Sequence, residues 1–174
     1  MRINITKLID VTAFLIEQEG GSLNYLKLMK YLYLLEKHTL SKLGYSVTND
    51  DFYSMEHGPV LSMSLNLIRG IGNDDQNDIW NKYFLKTGSK GYDLKIKELS
   101  DFQSLSEAEE EIICELVEQH KSKNQFELRD FVHETCPEWE YTTSSKPLTI
   151  HDILKNEGIN EREIEDQLCE IEGA

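Results

Sequence analysis

The chain has 174 residues, 39% of them hydrophobic, with 18 Lys and Arg against 32 Asp and Glu, a formal charge of −14. That length buries a sizeable core without disulfide staples, and 10 Gly with 3 Pro argue against a long disordered linker. Its apolar runs are too short to span a membrane, and the start Met1-Arg-Ile-Asn-Ile lacks the apolar stretch of a signal peptide, so a cytoplasmic protein is expected.

Residues 6–19 read as a helix, with Leu8, Val11 and Leu15 at helical spacing and Ile9, Ala13 and Ile16 widening the stripe. Gly20-Gly21 ends it, and Ser22 or Asn24 can cap the next helix. Residues 24–43 form the most hydrophobic helix, because Leu28-Met-Lys-Tyr-Leu-Tyr-Leu-Leu35 is apolar nearly all round. Such a helix belongs in the middle of a domain. Gly44 is its expected stop.

Thr48-Asn-Asp-Asp51 is turn chemistry, and Phe52-Tyr-Ser-Met55 alternates like a short strand. Gly58-Pro59-Val60 is read as a sharp helix start, with Pro at a favoured first position, and residues 60–69 as the helix. Asn73–Asp78 is expected to be a polar loop. Tyr83–Lys86 and Tyr92–Lys97 read as a hairpin about Thr87-Gly-Ser-Lys-Gly91, which must pack on helices or pair with segment 52–55. Ser106-Glu-Ala-Glu109 is a capping box before a helix. Residues 125–134, 149–156 and those after Asn160 give three more helices, with an aromatic turn, Pro137–Tyr141, between the first two.

The fold class expected from these elements is mainly α (α+β): a compact helical domain with a central apolar helix and a small antiparallel hairpin or sheet, one domain over 1–174.

The charge is unevenly placed. Residues 1–100 carry 12 basic and 12 acidic side chains, and residues 101–174 carry 6 and 20. Phosphate binding needs clustered Lys and Arg, so the acidic part disfavours direct nucleic-acid binding and would attract a basic protein. Part of that acidity sits at a helix N-terminus, where the macrodipole favours it with no partner at all.

Chemistry-bearing motifs are few. Cys114, Cys136 and Cys169 are widely spaced with no Cys-x-x-Cys, which reads as reduced thiols. His133-x-x-Cys136 could supply two zinc ligands, but the rest would have to come from scattered residues such as Cys114 or His120. A buried thiol beside a surface His is the plainer reading. No nucleophile elbow, phosphate loop or dinucleotide fingerprint is present. Glu56-His57 is the best acid–base pair, though adjacent residues rarely converge on one substrate atom. A turn hydrogen bond from His57 is the structural alternative. No catalytic residue, metal or cofactor is assigned.

The stretch Leu26-Lys-Leu-Met-Lys-Tyr-Leu-Tyr33, followed by Leu40, Gly44 and Asp51-Phe-Tyr-Ser-Met-Glu-His-Gly-Pro-Val60, resembles the Panacea domain, the SocA-like antitoxin domain. That family's pattern is a "KLxKLLY" helix, a spacer and an extended segment ending in Gly-Pro-Val, often with a Ser soon after, here Ser62. The resemblance is strongest over residues 5–70. It implies an antitoxin of a type II toxin–antitoxin pair, common on prophages and plasmids, that neutralises a protein toxin by direct binding. At least one branch of the family delivers the toxin to a Clp-type protease. It marks Tyr33, Tyr53, Met55, His57, Gly58, Pro59 and Val60 as family-motif or partner-binding residues. Met55 stands where many members carry Trp, and no DNA-binding module is legible, residues 1–5 leaving no room for one upstream. A phage or mobile-element regulator binding a host protein is the alternative expectation.

Overall fold

A computed structural model of the chain describes residues 3–101 and 103–173. Met1 and Arg2 of the N-terminal stretch lie outside the described residues. Helix α1 (Ile5–Gln18) begins at Asn4, whose side chain accepts from the Lys7 amide. Strand β1 (Leu23–Asn24) ends in the residue that caps α2 (Tyr25–Leu43), since the Asn24 side chain accepts from the Leu26 amide. Gly44, at φ 80°, closes α2. Then come β2 (Phe52–Met55), β3 (Gly58–Leu61), α3 (Ser62–Arg69), α4 (Asp74–Tyr83), β4 (Phe84–Thr87) and β5 (Asp93–Ile96). The acidic part holds α5 (Glu107–His120), α6 (Gln125–Thr135), β6 (Lys146–Leu148), α7 (Ile150–Asn156) and α8 (Glu161–Gly173).

The architecture is the expected mainly helical α+β one. Helix α2 runs through the middle and packs against α5, α6, α7 and β3. Leu28, Met29, Tyr31, Leu32, Tyr33, Leu35 and Leu40 are all buried along it. Full burial of each large side chain contributes roughly 1.5–3 kcal/mol, so α2 is the axis of the core. Two antiparallel sheets flank it, β1-β5-β4 and β3-β2-β6. Among the described residues, no helix is long and apolar enough to cross a membrane.

Two local expectations are corrected. Gly58-Pro59-Val60 is strand β3, paired with β2 in the register Tyr53↔Val60, Ser54↔Pro59 and Met55↔Gly58, and the helix begins only at Ser62. Pro59 is tolerated because β3 is an edge strand, where a missing N–H costs no ladder bond. The start of α3 is fixed from outside it: the Asp50 carboxylate accepts from the Met63 and Ser64 amides and the Ser64 hydroxyl. Asn73–Asp78 is not a loop but a cap and the first turns of α4, with Asn73 accepting from the Gln76 amide and Asp74 and Asp75 in the first turn. Trp80 and Tyr83 bury the far end of that helix. Of the two alternatives for the hairpin β4–β5, packing on helices holds: β5 packs on α1 and β4 on α4, the hairpin also pairs with β1 through Leu23↔Leu94, and segment 52–55 pairs with β3 and β6.

Candidate functional site

The family-motif segment folds into the hairpin β2–β3, with Glu56 and His57 exposed at its tip. Neither tip residue has positive φ, so the reversal depends on Gly58 at φ 99°. A left-handed glycine after a tight turn lets the strands return with the right twist.

Three contacts clamp the hairpin next to its turn, around the closing pair Met55 and Gly58. From α2, the Lys30 Nζ donates to the Pro59 carbonyl at 2.9 Å, with Lys30 wholly buried. From the turn after α6, the Trp139 Nε1 donates to the Met55 carbonyl at 2.9 Å. The His133 ring, from α6, stacks on Trp139 with centroids 3.9 Å apart and planes 10° from parallel. Its Nε2 is buried with no hydrogen-bond partner. Burial holds the His133 pKa below its ordinary value, against the pull of the His57 backbone. Burial also brings Lys30 down from 10.5 to about 7.

A polar network lies behind the clamp. The Tyr33 hydroxyl donates to Glu138 Oε1 at 2.5 Å, and Lys37 Nζ donates to the same oxygen at 2.8 Å. Lys37 also pairs with Glu157 at 3.0 Å. Burial alone would lower the Lys37 pKa, but the Glu138 and Glu157 carboxylates more than reverse this. Tyr33 is pushed well up, by burial first and the Glu138 charge second. The Tyr33 ring meets Phe52 of β2 edge-on at 6.2 Å, which ties the network to the hairpin.

The seven family-motif residues therefore divide. Tyr33, Gly58, Pro59 and Val60 are buried, Tyr53 and Met55 are half-buried, and only His57 is exposed. Tyr53 lines a cavity of about 680 Å³ with Leu148, Ile150, Leu168 and Ile171. Among the described residues, His57 makes no side-chain hydrogen bond to its turn, and no group of three His, Cys, Asp or Glu side chains is placed to hold a metal ion. Cys136 is buried, and burial pushes its thiol up to about 11, so it is a poor nucleophile. Sequence reasoning missed Lys30, Lys37, Glu138 and Trp139 as members of this site. The signal present was the aromatic turn 137–141, which the clamp uses through Trp139.

Gly58 is the tightest point. A methyl group there would lie 2.7 Å from both Lys30 Nζ and His133 Nε2. Gly20, at φ 93°, would have nothing within 4 Å of such a methyl group, so it isolates backbone strain from crowding. Gly20→Ala is expected to cost about 1 kcal/mol. Gly58→Ala, which adds overpacking, is expected to cost about 3 kcal/mol. Urea unfolding of the two variants checks the difference, and equal losses would contradict the clamp.

The comparisons with known proteins bear on this same region. Searches of curated proteins and of solved structures returned no match. The family profile described as antitoxin SocA-like, Panacea domain, matches residues 28–140. That span takes in Lys30 and Tyr33, the whole β2–β3 hairpin, and His133, Glu138 and Trp139. The clamped hairpin thus lies inside the matched segment, and the chain belongs to the SocA-like, Panacea-domain antitoxin family.

Proposed function

We propose that this chain is the antitoxin of a type II toxin–antitoxin pair, working in the cytoplasm without catalysis and neutralising a cognate protein toxin by binding it. The observation that carries the reading is the family match over residues 28–140. The geometry supports it physically. A hairpin fixed next to its turn by Lys30 and Trp139 presents Glu56 and His57 with little ordering cost on binding. Delivery of the captured toxin to a Clp-type protease is a further step of the same proposal.

The test is co-expression with the product of the adjacent gene. Wild-type protein should restore growth. The double variant Glu56→Ala, His57→Ala, both exposed at the tip, should keep a native melting curve and bind the toxin at least about tenfold more weakly, roughly 1.4 kcal/mol. A neighbouring product that is not toxic, or is toxic and not bound, would refute the assignment. Rescue that survives in a host lacking the Clp-type protease would make neutralisation steric.

The charge surplus of residues 101–174 gives a kinetic expectation. Association with a basic toxin should slow as salt rises, because screened carboxylates steer less at distances beyond about 8–10 Å. Stopped-flow measurement at several salt concentrations checks it, and a salt-independent rate would remove steering.

A further inference from the structure

A small cavity, of about 290 Å³, opens where the hairpin β4–β5 meets the end of α3 and the start of α2. That volume is near the lower limit for a small-molecule site. One part of its lining is apolar and aromatic: Ile68 is buried, Tyr25 half-buried and Tyr92 half-exposed. The two tyrosine rings lie 5.6 Å apart with their planes at 60°. The Tyr25 amide donates to the Tyr92 carbonyl at 2.8 Å, so the backbone fixes this aromatic wall. The other part is cationic, made by Arg69, Lys86 and Lys90, all exposed.

These cations lack what the chain supplies elsewhere. Acids outnumber bases by 32 to 18, and Lys7, Lys27, Lys37, Lys42 and Lys82 each pair with a carboxylate. Among the described residues, Arg69, Lys86 and Lys90 make no ion pair and no side-chain hydrogen bond. The one carboxylate of the hairpin, Asp93, is held by Asn24 Nδ2 at 3.3 Å. Helix α3 accounts for part of the arrangement, since its C-terminal end is a negative pole. Arg69 sits in its last turn, and Lys86 Nζ lies 4.0 Å from where a methyl group on Gly70 would be. Lys90 lies in the turn of the hairpin, and the helix end does not account for it. Three unpaired cations beside an aromatic wall are the complement of an anion that carries a flat body. A polymer fits poorly, because a chain of net charge −14 repels a polyanion and the cavity holds one small ligand.

We propose that this cavity binds a small phosphorylated molecule with a planar body, of the nucleoside-monophosphate class, its phosphate among Arg69, Lys86 and Lys90 and its base against Tyr92. The proposal goes beyond the antitoxin reading and does not depend on it. The full chain, labelled with nitrogen-15, is titrated with adenosine monophosphate, and separately with adenosine, inorganic phosphate and a single-stranded oligonucleotide without a terminal phosphate. Saturable shifts at the amides of Arg69, Gly70 and Gly91 are expected for the monophosphate, with a Kd below about 1 mM. Adenosine and inorganic phosphate should each bind at least about tenfold more weakly, because each keeps only one kind of contact. Lys86→Gln and Lys90→Gln, both exposed substitutions, should each weaken the monophosphate by about threefold. Tyr92→Ala should weaken it by about tenfold and leave inorganic phosphate unchanged. Lys95→Gln is the control: Lys86 pairs across the strands with Leu94, so Lys95 lies on the opposite face of the hairpin and its loss should change nothing. No saturation by about 10 mM, equal binding of adenosine or of inorganic phosphate, or an equal loss in Lys95→Gln would overturn the site. An oligonucleotide that binds more tightly than the monophosphate would overturn the small-ligand assignment in favour of a nucleic-acid strand.

Discussion

Glu36→Ala is expected to destabilise the protein by about 4 kcal/mol, among the largest losses a single substitution can produce. Glu36 sits in the middle of α2 and is wholly buried. Its carboxylate accepts from the Ser46 hydroxyl at 2.8 Å, the Val47 amide at 3.0 Å, and the Thr48 amide and hydroxyl, each at 2.6 Å. These four bonds hold the segment between α2 and β2, which sets where the hairpin begins. Alanine would leave four buried donors without an acceptor, each costing about 1–3 kcal/mol less whatever water recovers. For a protein of this length the midpoint of thermal unfolding should fall by about 10 °C. Glu36→Gln keeps the shape and one oxygen but turns an NH₂ group toward donors, so it should lose about half as much. Calorimetry with urea unfolding measures both. A loss below about 1 kcal/mol for alanine would mean that the segment holds itself in place.

The second large effect is a dependence of stability on pH carried by Lys30. In the folded protein burial lowers its pKa from 10.5 to about 7. The unfolded chain keeps that proton up to the ordinary lysine value. Between these limits the unfolded state binds more protons, so raising pH favours the fold. The gain should approach about 1.4 kcal/mol per pH unit above pH 7 and vanish below it, where both states are protonated. Lys30→Met removes the titrating group and should lack that slope. Cys136, Tyr31 and Tyr33 act the other way at higher pH, because burial raises each of them and the unfolded chain ionises first. The difference between wild type and Lys30→Met cancels their contribution. Urea unfolding at pH 6, 7, 8 and 9 reads it directly, and parallel curves for the two proteins would show that the folded lysine keeps its proton.

Much of the fold was legible because its signals are local. Hydrophobic spacing placed α1 and α2, Gly44 placed the end of α2, and Ser106 with Glu109 form the reciprocal cap expected of their spacing. The misread elements are those fixed from a distance. Gly58-Pro59-Val60 carries the same residues whether it opens a helix or completes a hairpin; the pairing with β2 and the remote cap from Asp50 decide, and neither is local. Helix α4 had a local signal, an Asn cap with two acids after it, but its polar first turns masked that signal until Trp80 and Tyr83 supplied burial. The candidate site was half legible. Its motif residues could be named from the resemblance, yet the charges that hold them could not. Lys27, Lys30, Glu36 and Lys37 interrupt an apolar helix as solvated positions would, and all four are buried. Their partners are Glu19, the Pro59 carbonyl, the 46–48 segment and Glu138, the last of them 101 residues from Lys37.

The segment shared with the family stops short of what the hydrophobic core requires. Helix α1 precedes residue 28, yet its Leu8, Ile9, Val11, Leu15 and Ile16 are buried, and Lys7 pairs with the buried Glu109. At the other end, Ile153, Leu154 and Ile164 are buried beyond residue 140. A chimera that grafts residues 28–140 into a foreign host protein must therefore import, or find already there, one flanking helix before the segment and two after it to cover that exposed oily surface. Swapping this module between genes is a transplant of three pieces, however short the stretch by which it is recognised.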